Sequence, residues 1–308
     1  MIPNINSPHL SVGNSCPTIA RTINWGTDYL KYYQIDDARL EAEILLSYSI
    51  KITRTKIIID LEKVLTPEDF AKYNDLIVRR SLHEPSAYIT RIQPFMSLDF
   101  FVDRSVLIPR PETELLVETA ITYFKSPTIN YTIADIGTGS GAIAISLAKY
   151  LPNVKVIGID SSAAAIEIAQ KNAKYHKVND RRRFIQGNLF EPLTEPVNII
   201  ISNPPYIPSA DIDNLQPEVR DWEPRFALDG GPDGLDYIKQ LISEGPKYLK
   251  ENGYLILEFG ENQAEKIKSL SEKQFKEIKI IKDYSGIERI IFAGKPATKR
   301  RGFQIKSS

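Results

Sequence analysis

From Asn130 onward the chain alternates apolar strand-like runs with helical stretches: "YTIADIG", "AIAISLAKYL", "VKVIGID", "SAAAIEIAQKNAKYH", "RFIQGN", "VNIIIS" and later "YLILEFG". Strands that are apolar almost throughout must be covered on both faces, and a strand-helix-strand order sets successive strands parallel. The stretch reads as an α/β domain with a parallel sheet between two layers of helices. Its last two runs, "EIKIIKDYSG" and "ERIIFAGK", are close enough in sequence to pair as a hairpin at the sheet edge.

Upstream the period changes. Ala38, Ala42, Leu45 and Leu46 recur at i, i+4, i+7 and i+8 behind Asp36, a possible cap. Thr66-Pro67-Glu68-Asp69 offers an N-cap, a first-turn proline and a capping-box acid ahead of Phe70, Tyr73, Leu76 and Ile77. A small helical domain fits these residues. "PFMSLDFFVDRSVLIP", from Pro94, is rich in aromatic and β-branched residues and reads as a short hairpin joining two domains, with helical periodicity resuming at Pro111. With 308 residues, 42% of them hydrophobic, the chain has room for one large and one smaller domain. The expected boundaries are a flexible segment over 1–22, helical domain over 23–93, hairpin linker over 94–108, α/β domain over 109–295 and flexible basic tail over 296–308.

Lys and Arg number 39, as do Asp and Glu, so no global field draws the molecule onto a polyanion. Cys16 stands alone, and His9, His83 and His176 are scattered; no intrachain disulfide, metal site or Cys/His nucleophile is expected. No apolar run approaches the ~18 residues of a membrane span. The leader "MIPNINSPHLSVGNSCPTIA" also lacks a secretory apolar core, so a cytoplasmic protein without a membrane partner is expected. The tail "KPATKRRGFQIKSS" carries five basic residues in fourteen without periodicity, which favours solvated disorder over a nucleic-acid arm. Arg181, Arg182 and Arg183 form a short basic run expected to be a solvated turn.

"ADIGTGSGA" sits at a strand end and opens a helix, with Gly137, Gly139 and Gly141 spaced G-x-G-x-G. Glycines there let a ligand approach the backbone, and the helix start offers free N–H groups. A tight turn with no ligand is the plainer alternative. Asp160, nineteen residues beyond Gly141, ends the next strand, where an acid meets ribose hydroxyls; capping the helix ahead of Ser161 and Ser162 is its alternative role. Asn188 ends the third strand, placed to meet an adenine or simply to turn the chain. NAD and S-adenosylmethionine share the adenosine these residues suit, so the fourth strand must decide between them.

That strand, Val197 to Ile201, exits into Asn203-Pro204-Pro205-Tyr206, expected beside the first strand's glycines. Prolines lack an N–H and hold φ, so the loop offers carbonyl acceptors in a stiff frame suited to an NH2 group. The Asn203 side-chain oxygen and the Pro204 carbonyl can each take one hydrogen of a planar amide while Tyr206 packs on its face. An amide nitrogen's lone pair is delocalised and must be aimed in line at a sulfonium methyl. Positioning supplies about 7–11 kcal/mol in well-oriented systems against about 0.5–1.5 for one net hydrogen bond, so the loop's role is mainly alignment. A rigid strand-ending turn is the alternative.

Taken together these stretches resemble the N5-glutamine methyltransferases that modify peptide chain release factors, over most of the chain from about Ile23 to Lys295. "LIPRPETE" (Leu107 to Glu114) resembles the family's signature ahead of the catalytic domain and "ADIGTGSG" its cofactor loop; "EPRFALDGGPDGLDYI" and "LILEFGENQ" resemble later blocks. The resemblance implies a seven-stranded, Rossmann-like class I methyltransferase domain with an N-terminal helical bundle that recruits substrate and a β-hairpin linker. It implies methylation of the glutamine amide in a Gly-Gly-Gln loop, supporting translation termination. Gly137, Thr138, Gly139, Ser140 and Gly141 would face S-adenosylmethionine, which leaves as S-adenosylhomocysteine; Asp160 would meet its ribose, and Asn188 with Leu189 its adenine. Asn203, Pro204, Pro205 and Tyr206 would hold the glutamine, with Asn203 near the methyl donor too, and Asn203, Pro204 and Tyr206 carrying catalysis. Arg110, Glu112 and Asp135 would support the site from behind. The chain departs from the pattern at Asn188, where related enzymes often carry an acid, and at Thr90-Arg91 and Ser97, where glycines are expected in the linker.

Enzymes that methylate the exocyclic amine of DNA adenine or RNA guanine use related loops because the alignment problem is similar. Balanced charge and the lack of an evident target-reading insert weigh against them, so no direct nucleic-acid substrate is expected. A noncatalytic binding protein with a dead pocket is disfavoured by the intact glycines, Asp160 and NPPY.

Overall fold

The computed structural model describes residues 16–126, 128–178 and 181–296. They divide into two units: the described residues up to Ile92 together with Gln216–Trp222, and Gln93–Leu215 together with the chain from Glu223 on.

The first unit packs α1 (Ile19–Tyr32), α2 (Ala38–Ile50), α3 (Arg54–Ile59), α4 (Pro67–Ser81) and α5 (Ser86–Thr90). Thr66 accepts from the Asp69 N–H at 3.1 Å to start α4, with Pro67 in its first turn, as the sequence predicts. Thr18 likewise accepts from Arg21, so α1 begins inside the stretch expected to be a flexible leader. The leader through residue 15 and the tail over 297–308 lie outside the described residues. The start of α2 also differs from expectation: Asp37 precedes it with φ of 48° and no side-chain cap, while Asp36 accepts from Gln216 at 3.3 Å instead of capping. Ala38, Ala42, Leu45 and Leu46 are buried with Ile23, Leu30, Tyr73 and Ile77 in one apolar cluster.

Gln216–Trp222, bearing the one-turn helix α9 (Pro217–Arg220), groups with this unit although both of its chain neighbours belong to the other. Buried Arg80 anchors it, donating to Glu218 and to Glu41, each at 3.0 Å.

The second unit begins at Gln93, within the hairpin of β1 (Ile92–Phe95) and β2 (Leu98–Phe101). Its loop residues Met96 and Ser97 have φ of 50° and 56°, the left-handed pair that a two-residue type I′ loop requires. Beyond Phe101 the expected hairpin linker has no strand: Asp103 takes the Ser105 N–H at 2.9 Å and turns the chain toward α6 (Pro111–Phe124).

Seven strands then form one sheet: β3 (Tyr131–Ile136), β4 (Val154–Asp160), β5 (Arg182–Gln186), β6 (Val197–Ser202), β7 (Leu249–Glu258), β8 (Glu277–Lys282) and β9 (Glu288–Gly294). Their order is β5-β4-β3-β6-β7-β9-β8, parallel through β7, with β9 antiparallel to both of its neighbours. Arg182 and Arg183 are therefore not the expected solvated turn; they pair with Val156 and Ile157 as the start of β5.

Side chains alternate between two cores. Ile133, Ile199, Ile201 and Ile256 face Leu116 and Val117 of α6 and Ala144 and Leu147 of α7 (Ala142–Tyr150). Ala134, Ile136, Ile200, Leu255 and Leu257 face Ile238, Leu241 and Ile242 of α10 (Asp236–Tyr248) and Ile267 of α11 (Ala264–Ser271). The helix α8 (Ala163–Tyr175) follows β4. Strand order reverses between β4 and β6, on either side of β3, which opens a crevice at the carboxyl ends of these strands. Among the described residues no helix is long and apolar enough to cross a membrane.

Candidate functional site

The crevice is a cleft with about 810 Å³ of empty space, part of it open to solvent. Its walls include Gly137, Gly139, Asp160, Asn188, Leu189, Asn203, Pro204 and Pro205, so residues singled out at four strand ends converge. Gly137 and Gly139 have φ of 73° and 53°, and a Cβ built on either meets nothing within 4 Å. That open space above bare backbone is what a bound nucleoside needs.

Asp160 ends β4 almost fully buried, its Oδ2 accepting from the Gly139 N–H at 2.8 Å and its Oδ1 from the Ser162 N–H at 2.9 Å. Ser162 rather than Asp160 caps α8, accepting from Ala165 at 3.2 Å. Two carboxylate oxygens offer about four acceptor positions, so two remain for vicinal hydroxyls. Burial raises the Asp160 pKa while these two N–H groups oppose it. Asn188 is exposed at the rim, and Leu189 beside it holds φ of 45°.

Thr138, Ser140 and Gly141 are not among the cleft walls. The Thr138 hydroxyl donates to Asp135 at 2.6 Å, and the Ser140 carbonyl accepts from Asn172 at 2.8 Å. A Cβ on Gly141 would come within 3.0 Å of Ile145 and 3.1 Å of Ala169, so this glycine lets α7 and α8 approach. Fully buried Asp135 also takes the Ala144 N–H at 3.2 Å, and burial pushes its carboxyl up to about 7. It ties the glycine loop to the first turn of α7.

On the opposite wall Asn203 donates its Nδ2 to the Thr113 hydroxyl oxygen at 2.9 Å. Neither the Asn203 Oδ1 nor the Pro204 carbonyl takes a hydrogen bond among the described residues. The rest of the loop is clamped from behind. The Tyr206 carbonyl accepts from Gln263 at 3.0 Å, and the Ile207 N–H and C=O pair with Leu228 and Gly230 at 3.0 and 2.8 Å. A Cβ on Gly230 would sit 2.8 Å from the Pro205 carbonyl, and one on Gly234 would sit 2.3 Å from that of Tyr206, so the "DGGPDG" stretch is glycine-rich because backbone lies against backbone there. Tyr206 is outside the cleft walls, its hydroxyl on Glu258 at 3.3 Å.

Of the support residues, Arg110 pairs with buried Glu223, whose other oxygen accepts from the Ile108 N–H at 3.0 Å. This holds the segment whose Ser105, Val106 and Leu107 line the cleft. Glu112 is exposed in the first turn of α6, and its neighbour Thr113 is the residue that reaches the loop.

Models of the PrmC N-terminal domain and of the methyltransferase small domain match residues 21–90 and 111–215. A release factor glutamine methyltransferase of Geobacter sulfurreducens is 43% identical over 276 residues, 89% of this chain and 95% of that protein. The chain belongs to the release factor glutamine methyltransferase family. Another member, from Moorella thermoacetica, is 42% identical over 84% of this chain and 92% of its own. The crystal structure of a methyltransferase from Pyrococcus furiosus superposes with a TM-score of 0.50 at 19% identity, covering 66% of this chain and 91% of the other, which reflects the shared fold.

In this release factor glutamine methyltransferase family member, the sequence points to no role for Thr113, Glu223, Glu258 or Gln263, although all four lie in blocks that carry the family resemblance. A buried threonine in a helix's first turn or an acid ending an apolar strand has no distinguishing spacing. Phe226, Ala227 and Tyr237, from the "EPRFALDGGPDGLDYI" block, complete the cleft walls.

Proposed function

We propose that this chain transfers a methyl group from S-adenosylmethionine to the side-chain amide nitrogen of the glutamine in the Gly-Gly-Gln motif of peptide chain release factors, leaving S-adenosylhomocysteine and the proton that the nitrogen gives up. The observation that carries the reading is Asn203 at the strand-order switch, with Nδ2 committed to Thr113 and Oδ1 left without a partner beside the cleft it lines. Family membership at 43% identity supports the same acceptor.

The residues fit the cofactor. Gly137 and Gly139 leave the backbone bare for it, Asp160 keeps acceptor positions for its ribose, and Asn188 with Leu189 borders the place of its adenine. When bound, S-adenosylmethionine supplies an electrophilic methyl carbon on a positively charged sulfur. The Asn203 Oδ1 and the Pro204 carbonyl each accept one N–H of the glutamine, which fixes the amide plane, and both oxygens favour positive charge developing on that nitrogen. Pro204 and Pro205 keep the acceptors rigid and add no competing donor. Tyr206 braces the loop through Glu258 and stays protonated, because burial raises its pKa.

We place the reaction in the cytoplasm, with release factors rather than nucleic acid or membrane as partner, and assign the helical unit to recruiting them. The test incubates the protein and labelled S-adenosylmethionine with a release factor, its Gly-Gly-Ala version, DNA and RNA. Label is expected on the release factor and absent from the Gly-Gly-Ala version. Label on nucleic acid instead overturns the reading.

A further inference from the structure

Behind the acceptor loop lies a carboxyl group used so far only as the brace for Tyr206. Glu258 ends β7 and is 1% exposed, and β7 runs beside β6, pairing Leu257 with Ser202, the residue before Asn203. One of its oxygens, Oε1, accepts from the Tyr206 hydroxyl at 3.3 Å. The other, Oε2, is buried with no hydrogen bond among the described residues. Leaving a buried carboxylate oxygen unpaired is costly, so a donor at hand will turn toward it. The Thr113 hydroxyl accepts from Asn203 and gives its own proton to no acceptor among the described residues, and its interaction favours the charged form of Glu258; it is the donor we assign to that oxygen.

A hydroxyl has one proton. If Thr113 gives it to Glu258, its oxygen is left as acceptor, and the group facing it at 2.9 Å must be the NH2 of Asn203. An asparagine amide has only two ends. We propose that Glu258 and Thr113 are positioning residues that set the direction of the Asn203 amide: the carboxylate claims the threonine proton, Thr113 accepts from Nδ2, and Oδ1 is thereby the end presented to the methyl-accepting amide. This inference rests on the reading that the cleft aligns a glutamine NH2.

With Glu258 protonated the relay reverses. The carboxyl proton goes to the Thr113 oxygen, the Thr113 proton goes to Asn203, and the amide turns so that its NH2 faces the substrate's NH2, donor against donor. Burial pushes Glu258 up to about 7, with Glu112 adding to the rise; the Thr113 and Tyr206 hydroxyls and the Arg289 charge oppose it. Arg110 acts on the same cluster through Tyr206. Turnover then climbs with pH through about 7 and levels off above it.

The experiment measures kcat and KM for methyl transfer to a release factor across about pH 6 to pH 8.5, for the full chain, Thr113→Val, Thr113→Ser and Glu258→Gln, with thermal melts of each. Thr113→Val and Glu258→Gln are expected to lose on the order of 10² in kcat, with KM for S-adenosylmethionine changed less than about threefold; Thr113→Ser keeps the hydroxyl and stays within about threefold of the parent. Glu258→Gln is also expected to lose the rise near neutrality. A folded Thr113→Val with parental kcat, or a flat parental pH profile, overturns the relay while leaving the proposed reaction intact. Failure of the parent chain to label the release factor overturns the reaction itself.

Discussion

Asn203 and Gly141 both lie in loops that follow strand ends, yet their substitution separates two kinds of loss. Asn203→Ala removes one preorganised acceptor at the reacting amide, and kcat is expected to fall by on the order of 10²–10³ with an unchanged urea midpoint. Gly141→Ala leaves the cleft untouched but forces a Cβ against Ile145, Ala169 and Phe184 at a φ of 78°, costing about 1–3 kcal/mol in urea unfolding while the Kd for S-adenosylmethionine stays within about threefold. In the sequence the two glycine roles look alike, since spacing reports that backbone must approach something and not whether that something is a ligand or a helix. Gly137, Gly139, Asp160 and Asn203 were legible because chemistry at strand ends has few residue types to choose from. Thr113 was not, because an exposed acid beside it, Glu112, carries the same signature and a more conspicuous charge.

At the level of elements, the parallel strands could be read from their apolar runs, because two-sided burial leaves little room for any other pattern. Helix α10 was harder: Gly245 and Pro246 lie within its last turn, and both residues ordinarily argue against a helix. Met96 and Ser97 both occupy left-handed backbone that costs a residue with a Cβ roughly 1–2 kcal/mol, and Arg91 does so at φ of 60° where glycine was expected. Ser97→Gly is expected to raise unfolding stability by about 1 kcal/mol in urea denaturation without altering kcat.

For the whole molecule, two buried acids make stability depend on pH. Asp135 and Glu258 are both pushed up to about 7 by burial, so the folded chain binds their protons more tightly than the unfolded chain does. Their stabilising contribution is whole below the unfolded carboxylate range, near pH 4, and is lost as pH rises through about 7, on the order of 3 kcal/mol for each. Urea midpoints are expected to fall between about pH 5 and about pH 8, and to fall less in Glu258→Gln. Activity and stability therefore pull this one glutamate in opposite directions. Because Gln216–Trp222 groups with the helices while threading out of and back into the sheet unit, the border between the units crosses the chain three times. Anyone building chimaeras between relatives must swap two separate stretches together, since a graft of the amino-terminal piece alone would pair one parent's Arg80 with the other parent's stand-in for Glu218.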